Sequence, residues 1–527
     1  MTPAFAYAAC ALAGAAAFLA LRLYPIWRQR EQGCDAFNIL LCAEAIRRER
    51  RLPPRVPELF ILEDEEQWYP PVFLALCALL PQGWLQRRYW LFNQLVDLAN
   101  GALLFVAVAL LTESPWLAGG ALLVYAICAG LVQEFAVLTI RPLGLLVLNL
   151  LVLAGALAMQ NPLWLIAALG CGILLVYAHK LSAQQAWLTL PVIFAATGAW
   201  VWAVLLPGMY AAAFLVWPRG FRRVIEGHIA IVRFWQRNWP LLGAHAVRQS
   251  PIYGDDGQTR RDFYAAWPKG APLQFAKETL HQNYFVVPAA VGVLEGLVGG
   301  TAMGQGAGAL VPVLAAWIVS VYAMAALTHF VTRLRGLGLG RQYVKFALLP
   351  SLCLTAVMLA QQPGLATPIT ALAALLLALR QYLLIARSLR GSAEEPQSSG
   401  QKSEALSELL AQLRRDDTAR VLVLPVYLCD LVAYETRRPV YWGTHGQCFN
   451  DRLERFFPVL RRPIADYAAD GRLNRLLLDT RYAKPEELGL PPGDLMAEAG
   501  PFALYRLRAE SVQLKGAADR TVVQAWA

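Results

Sequence analysis

Long apolar stretches alternate with polar loops along the first 390 residues. The stretches are Thr2–Leu23, Tyr89–Leu111, Trp116–Val132, Pro142–Met159, Leu163–Ala178, Ala186–Leu206, Val286–Gly299, Ala307–Leu327, Phe346–Ala360 and Thr367–Leu384. The longer ones approach the ~20 residues that an α-helix needs to cross a bilayer core. A shorter stretch, Met209–Trp217, is interpreted as completing a second span after Ala186–Leu206. The pattern predicts a mainly α fold, a polytopic membrane helical bundle of about eleven spans.

The pattern changes after Arg390. Residues 391–406 form a polar linker without apolar periodicity, and residues 407–527 follow it. In that last part Val421–Val426 is typical of a buried strand, Leu428–Glu435 of a helix, and Pro439–Trp442 of a further strand. We predict a membrane domain over residues 1–390 and a small C-terminal α/β soluble domain over residues 407–527.

Composition agrees with a membrane protein, because only 16% of the side chains are charged and 57% are hydrophobic, against roughly 25% charged in soluble domains. The net charge of +10 comes from arginines that lie mostly beside the predicted spans, which indicates the lipid bilayer rather than nucleic acid as a partner. None of the nine cysteines has metal-ligand spacing. The N-terminal span has no positive charge before Arg22, which favours a retained anchor over a cleaved signal.

The first large loop, residues 25–88, is rich in polar groups. It contains Asp35, a run of four arginines between residues 47 and 51, the acidic run Glu63–Glu66 and then Tyr69-Pro70-Pro71. The apolar piece Val72–Leu80 would reach only about 13 Å as a helix, too short to span, so we expect it at the membrane surface. With the N-terminus inside, Gln133–Arg141 and His179–Gln185 would face the same outer side as Asp35. Charged groups from three loops would converge there.

A second loop, residues 219–284, begins with an amphipathic helix. Between Arg219 and Trp239 apolar residues gather on one side of the helical wheel and charged residues on the other, which is typical of a helix in the headgroup layer. The helix would guide a lipid carrier or only anchor the loop. The following stretch, Pro251–Gly270, contains Tyr253 and is polar and aromatic enough to cover an acceptor site.

Short motifs in these loops resemble the GT-C superfamily of membrane glycosyltransferases. They are Asp35 after the first helix, Ala45-Ile46-Arg47, Leu52-Pro53 and Tyr69-Pro70-Pro71, followed by Arg141-Pro142-Leu143-Gly144, His179-Lys180-Leu181-Ser182 and Gly340-Arg341-Gln342-Tyr343. The resemblance covers most of the membrane part. This chain departs from the common pattern at Phe37-Asn38, where members of the superfamily often carry an aromatic-aromatic-His sequence.

The resemblance implies transfer of a sugar from a polyprenyl-phosphate carrier to a lipid, glycan or protein acceptor. The setting would be the outer face of a bacterial-type inner membrane. A carboxylate in a loop at the water–lipid boundary suits a general base, and cations suit the phosphate leaving group. The assigned residues are Asp35, Glu65 and Glu66 for catalysis, Arg141, His179, Lys180 and Arg341 for the carrier phosphate, and Asn38, Tyr69, Glu134 and Tyr253 for substrate contact. The acidic run would alternatively hold a divalent cation, Mg or Mn.

Each assignment has a structural alternative. Asp35 would cap a helix, Arg141 would begin one, and His179 and Lys180 would complement the end of another. The run Glu63–Glu66 would be a solvated loop face.

Two other functions remain open. A transporter or flippase of a lipid-linked saccharide predicts charges buried within spans, where Asp97 and Glu295 are the main cases. A non-catalytic partner in envelope-glycan assembly would keep the fold without the base.

The C-terminal domain carries weaker signals. Trp442-Gly443-Thr444-His445-Gly446 follows a predicted strand, and His445 is interpreted as structural. Eleven spans place this domain outside the cytoplasm, against the positive-inside tendency of Arg333, Arg335 and Arg341. A single helix over Ala186–Trp217 would reverse that placement.

Overall fold

The computed structural model describes residues 2–27, 34–52, 58–62, 70–238, 271–298, 310–361, 364–391, 403–443, 451–456, 464–481 and 483–508. These residues fall into two compact units. The first draws on Met1–Gln32, Trp68–Gln236 and Lys269–Pro396, and the second on Gly33–Gln67, Arg237–Pro268 and Gln397–Ala527.

The fold is mainly helical, with a small C-terminal sheet. The described α-helices are α1 Pro3–Ile26, α2 Cys34–Glu49, α3 Pro71–Leu79, α4 Gln82–Thr112, α5 Pro115–Ala126, α6 Ala129–Glu134, α7 Arg141–Ala158, α8 Trp164–Ala178, α9 Lys180–Thr197, α10 Trp200–Val216, α11 Pro218–Asn238, α12 Ala271–Gln282, α13 Val286–Val298, α14 Leu310–Phe330, α15 Leu348–Gln361, α16 Ala366–Gly391, α17 Glu404–Arg415, α18 Cys429–Thr436, α19 Asp451–Glu454 and α20 Ile464–Gly471.

The first unit contains the apolar helices. In the described part of the chain six segments are long and apolar enough to cross a membrane: Pro3–Leu23, Gln82–Thr112, Arg141–Ala158, Leu310–Phe330, Gly340–Gln361 and Ala366–Arg390. Four shorter apolar helices, α5, α8, α10 and α13, accompany them. The protein is a multi-pass membrane protein. The number of spans, about eleven, stays a prediction.

The helix break near residue 200 differs from the one that apolarity indicated. The expected span Ala186–Leu206 is interrupted at Gly198, whose φ of +66° ends α9, and α10 begins at Trp200. Glycine adopts this left-handed conformation without the steric penalty of a Cβ atom. Apolarity does not change across the break, so hydropathy alone misplaced the boundary. The segment forms two helices, and not the single long helix kept as an alternative.

The expected span Trp116–Val132 is also divided. Helix α5 ends at Ala126, and the short α6 begins at Ala129. Ile127 closes the last turn through its backbone N–H, which bonds to the carbonyls of Leu123 and Val124. The remainder of the apolar stretch therefore belongs to a separate short helix, which ends at Glu134.

The two segments that were expected to form helices at the membrane surface both form helices. Helix α3 ends at Leu79, just before Pro81, and α11 covers Pro218–Asn238. Val224, Phe234 and Trp235 of α11 are buried, in agreement with the amphipathic pattern.

The two acids expected within spans have defined partners in the first unit. Asp97 in α4 pairs with Arg22 in α1 at 3.0 Å and accepts a 2.7 Å hydrogen bond from the Tyr125 hydroxyl. Glu295 accepts from the backbone N–H groups of Ala366 at 3.0 Å and Thr367 at 3.1 Å. It therefore caps the N-terminus of α16, whose first N–H groups have no intrahelical acceptor.

The second unit contains a four-stranded sheet of order β1-β2-β4-β3, in which β1 and β2 are parallel and the other pairs antiparallel. The strands are β1 Val421–Leu424, β2 Arg475–Asp479, β3 Leu495–Ala499 and β4 Phe502–Arg506. The predicted strand at residue 421 and the following helix are confirmed, but the strand predicted over Pro439–Trp442 is wrong.

Instead, Val440 makes isolated parallel bridges to β1 and to Phe60 of the first loop. Val440 N–H donates to Leu59 O, and Ile61 N–H donates to Val440 O, both at 2.9 Å. The pairing is too short for a regular strand, yet it covers the edge of the sheet with a segment from the first loop. An edge left open would expose unpaired backbone groups.

Helix α2 belongs to the same unit and packs on α18. The Phe37 and Tyr434 rings lie 5.5 Å apart, and Arg437 pairs with Glu44 at 2.8 Å. Phe37 and Leu40 are buried. The first loop and the C-terminal residues thus share one core.

Candidate functional site

A cluster of charged side chains lies at the ends of several helices in the first unit. Glu134 accepts hydrogen bonds from Arg141 Nη1 at 2.8 Å and from Lys345 Nζ, and both bonds end on the same carboxylate oxygen, Oε1. Lys345 is 3% exposed, whereas Glu134 is 16% and Arg141 33% exposed. The cluster therefore combines a buried ammonium with a more accessible guanidinium.

Three turns of the backbone bring these groups together. Glu134 is the last residue of α6, and Arg141 is the first of α7, where Pro142 fits the first helical turn. Lys345 lies in the 3₁₀ turn Val344–Ala347 just before α15. Burial alone would raise the pKa of Glu134, but the charges of Lys345 and Arg141 outweigh it and hold the pKa below its ordinary value. Glu134 is therefore ionised near neutral pH.

His179 lies beside this cluster, between α8 and α9. Its Nδ1 is 2.8 Å from Ser182 Oγ, and its side chain packs against the backbone of α7 at Gly144, where an added Cβ would lie 2.4 Å from His179 Cβ. Burial, followed by the positive charges of Lys345 and Arg141, holds the pKa of His179 well below its ordinary value of 6.5. The imidazole is neutral at physiological pH.

Lys180 extends the positive region toward α11. Its charge contributes to the lowered pKa of His179 and, after burial, to that of His228, which falls to about 3. Both imidazoles therefore remain uncharged, and the positive charge resides on Arg141, Lys180 and Lys345.

Amide side chains on α4 fix the segment that carries Glu134 and Arg141. Three buried amides donate to backbone carbonyls of that segment. The bonds are Asn93 Nδ2 to Val137 O at 2.6 Å, Gln94 Nε2 to Phe135 O at 2.7 Å and Asn100 Nδ2 to Pro142 O at 3.1 Å. Buried carbonyls need such donors where the backbone leaves a helix. The amides thus position both charged residues.

The arrangement suits an anion. Two cations bind one carboxylate and Lys180 adds a third positive charge beside His179, so these described residues are together positive, and Arg and Lys donors are those used for phosphate groups. The neutral His179 would supply a hydrogen bond, not a charge.

Structural comparison identifies the fold. The oligosaccharyltransferase of Archaeoglobus fulgidus in its apo form has a TM-score of 0.59 and 12% identity, over 90% of this chain and 69% of that one. Its complex with an inhibitory peptide and a dolichol-phosphate has a TM-score of 0.57 and 11% identity, over 91% of this chain and 72% of that one. Both are GT-C membrane glycosyltransferases. This chain has the GT-C fold.

The resemblance of this chain to GT-C enzymes is therefore confirmed at the level of fold. No protein-family model and no curated protein sequence matches the chain. The archaeal enzyme was also solved in complex with Zn and sulfate, with a TM-score of 0.57 and 11% identity over 89% of this chain and 68% of that one.

The other assigned residues are dispersed or lie outside the described residues. Arg341 is exposed in the 3₁₀ turn Gly340–Gln342 and, among the described residues, makes no ion pair with Glu134. Asn38 is buried in α2 and accepts from Cys42 Sγ at 3.5 Å. Asp35 is the second residue of α2, but its side chain lies outside the description. Outside the described residues lie also Glu65, Glu66, Tyr69, Tyr253 and His445.

The fit of a divalent metal was tested on the described residues. Among them, no group of three or more His, Cys, Asp and Glu side chains is placed to hold one. The acids assigned to such an ion, Glu65 and Glu66, lie outside the described ranges.

Sequence reasoning missed Lys345 and the α4 amides. Lys345 stands directly before the apolar stretch that begins at Phe346, where a lysine is usually an interface anchor. The available signal was its position on the same predicted outer side as Arg141. Asn93, Gln94 and Asn100 recur at helical spacing in an otherwise apolar stretch, and that recurrence was the signal for a polar stripe.

Proposed function

We propose that this protein is a glycosyltransferase that moves a sugar from a polyprenyl-phosphate carrier to a lipid, glycan or protein acceptor. The reaction would take place at the outer face of a bacterial-type inner membrane, in assembly of the cell envelope. The observation that carries the proposal is the cation cluster of Arg141 and Lys345 around Glu134, in a chain with the GT-C fold. The dolichol-phosphate held by a neighbour of the same fold supports a lipid phosphate as the ligand.

In this proposal Arg141, Lys180 and Lys345 bind the carrier phosphate, and His179 donates a hydrogen bond through its Nε2. A phosphate that leaves the sugar gains negative charge, and preorganised cations stabilise that charge as it develops. Arg341 remains a further candidate for contact with the carrier, because it is exposed and cationic.

Asp35 is the proposed general base. It would take the proton of the acceptor hydroxyl or amide while the acceptor atom forms a bond to the anomeric carbon. The bond from that carbon to the phosphate oxygen would break on the opposite side, with inversion. Asn38, Tyr69 and Tyr253 are proposed substrate contacts, and Glu65 or Glu66 a second carboxylate or a ligand for Mg or Mn.

The topology proposed for this function has eleven spans. The six long apolar segments, the four shorter ones and α9 would supply them. With the N-terminus inside, the ends of α6, α8 and α11 and the turn carrying Lys345 then lie outside, as do residues 33–67 and the C-terminal domain over residues 407–527. Residues 1–390 would be the catalytic membrane domain and residues 391–406 a linker.

The transporter alternative gains no support from the two mid-helix acids. Asp97 is engaged by Arg22 and Tyr125, and Glu295 caps α16. Both have a structural role that needs no transported ion.

The test is transfer of radiolabelled sugar from a mixed pool of polyprenyl-phosphate sugars by membranes that carry the full chain. Asp35→Asn keeps size but removes the base, so we expect a loss of roughly a hundredfold or more. Arg141→Gln should reduce transfer by roughly 10- to 100-fold, because a charge-assisted hydrogen bond to the phosphate is lost.

Arg87→Gln is the matched control, because Arg87 is an exposed arginine of α4 that bonds to Gly83 O at 2.9 Å. It should leave transfer unchanged. Transfer undiminished by Asp35→Asn would eliminate Asp35 as the base. No transfer by the parent from any donor in the pool would favour the transporter or the non-catalytic partner.

A further inference from the structure

Glu134 occupies the donors that an anionic ligand would use. Its Oε1 accepts from both Arg141 and Lys345, although Lys345 is almost completely buried. Near neutral pH the carboxylate is ionised, since its two cations hold its pKa below the ordinary value of 4.5. A phosphate that reaches these cations therefore meets a fixed negative charge beside them.

The charges of the cluster leave a limited positive excess. Among the described residues, Arg141 and Lys345 place two positive charges on Glu134, Lys180 adds a third beside His179, and His179 is neutral because burial and these cations lower its pKa. Glu134 offsets one of these positive charges. The carboxylate thus sets the positive charge that a ligand experiences.

The donor and the product of the proposed reaction differ by one charge. A carrier phosphate that is esterified to a sugar is a diester with one negative charge. After transfer it is a monoester, whose second pKa is near 6, so it carries nearly two charges at pH 7. A carrier diphosphate would add one charge to both and leave the difference unchanged. Cations alone would bind the product more tightly than the donor and slow its release.

We infer that Glu134 is an internal counter-charge that selects against the carrier phosphate released by the reaction, so that the site binds the donor without being held by its product. The inference rests on the proposed function. A fixed carboxylate repels each negative charge of the ligand, so it weakens a dianion more than a monoanion. Removing one unit of charge at close range changes an equilibrium constant by roughly tenfold or more at the effective dielectric of a protein surface.

The test uses the full chain in detergent micelles at pH 7 with two unreactive probes. Undecaprenyl phosphate is the monoester, and undecaprenyl methyl phosphate is the diester. Glu134→Gln should lower the Kd for both probes, and the Kd for the monoester by roughly tenfold more. In a transfer assay the variant should show stronger inhibition by undecaprenyl phosphate and a lower kcat, with KM lowered at least as much, because slower product release lowers both and leaves kcat/KM unchanged.

Glu113→Gln is the matched control. Glu113 is exposed and follows the last residue of α4, 19 residues beyond Gln94, so it lies roughly 28 Å along the helix from the amide that bonds to Phe135 O beside Glu134. Glu113→Gln removes the same charge from the chain as Glu134→Gln does, and it should leave the ratio of the two Kd values unchanged.

The outcomes separate the inference from the function beneath it. If the parent binds neither probe, the phosphate site is wrong and the inference fails with it. If the parent binds both probes and Glu134→Gln changes the two Kd values by the same factor, or changes neither, Glu134 is only structural and the inference is overturned. Should Glu134→Gln fail to fold, the double variant with Lys345→Met removes both members of the pair. Compared with Lys345→Met alone, the double variant must lower the Kd for the monoester by roughly tenfold more than the Kd for the diester.

Discussion

Replacing Gly144 with alanine should displace His179 without altering any charge in the cluster. A Cβ built on Gly144 would lie 2.4 Å from His179 Cβ and 2.5 Å from its Cγ and Nδ1. These atoms are at the base of the side chain, so a change of rotamer does not move all of them away. Either the backbone of α7 or the turn between α8 and α9 has to shift.

The expected size of the effect follows from two opposing contributions. Alanine is favoured over glycine within a helix by roughly 0.5–1 kcal/mol, whereas overpacking a close contact costs about 1–3 kcal/mol. Gly170 in α8 supplies the comparison, since a Cβ there would meet nothing within 4 Å. Gly170→Ala should therefore stabilise the protein, and Gly144→Ala should be less stable than Gly170→Ala by about 1–3 kcal/mol.

The assay measures unfolding of the full chain in detergent and the Kd for undecaprenyl phosphate. A shift of His179 would break its bond to Ser182 and misplace the hydrogen bond that we propose for the phosphate, which should raise the Kd by roughly tenfold. Gly170→Ala should leave the Kd unchanged. If the two alanine variants agree in stability and in Kd, His179 is not held against α7 and its proposed role is wrong.

Three further variants test other parts of the first unit. Lys345→Met should raise the Kd for undecaprenyl phosphate by roughly 10- to 100-fold, measured by titration, because a buried charged donor is lost; an unchanged Kd would remove Lys345 from the site. Asp97→Asn should destabilise the chain by about 3–5 kcal/mol in denaturant unfolding, because Arg22 keeps a buried charge without its counter-ion, and joint replacement of both residues by apolar ones should recover most of that loss. The pKa of His179 is lowered on folding from 6.5, so its contribution to stability is complete above pH 6.5 and falls as the pH decreases, by at most about 1.4 kcal/mol per pH unit. The parent should lose more stability than His179→Gln between pH 7 and pH 5, and equal losses would contradict a buried neutral imidazole.

Several helices of the first unit could be predicted because their apolar stretches are bounded by a recognisable residue. Pro81 separates α3 from α4, and Pro142 lies in the first turn of α7. Gly198 was not recognised as a break, since apolar residues continue on both sides of it and only the backbone conformation marks the turn.

Part of the candidate site followed from local sequence, and part did not. Arg141 and His179 were predicted to converge, because loops on one side of a membrane lie near one another. Lys345 was missed because a lysine before a span is usually an anchor. Its bond to Glu134 joins residues that are 211 positions apart, and no local periodicity reports a partner at that separation.

The C-terminal unit also contains a segment whose structure its own residues do not predict. The strand at Val421 and the helix at Cys429 were predicted from their own residues, whereas the expected strand at Val440 depended on neighbours from the first loop. Hydrophobic patterns indicate that a segment will be buried, but they do not identify the segment that buries it.

The shared core of α2 and α18 has a consequence for biosynthesis. Arg437 and Glu44, which pair in the folded protein, are separated by 393 residues. At a synthesis rate of about 5–20 residues per second, α2 would wait roughly 20–80 s after its own synthesis before its partner helix exists. During that time most of the apolar helices would enter the bilayer while the buried face of α2, including Phe37 and Leu40, has nothing to pack against. The nascent chain must therefore keep the apolar face of α2 from aggregation for most of its own translation, and the segment that carries Asp35 can take its final form only after residue 437 has been made.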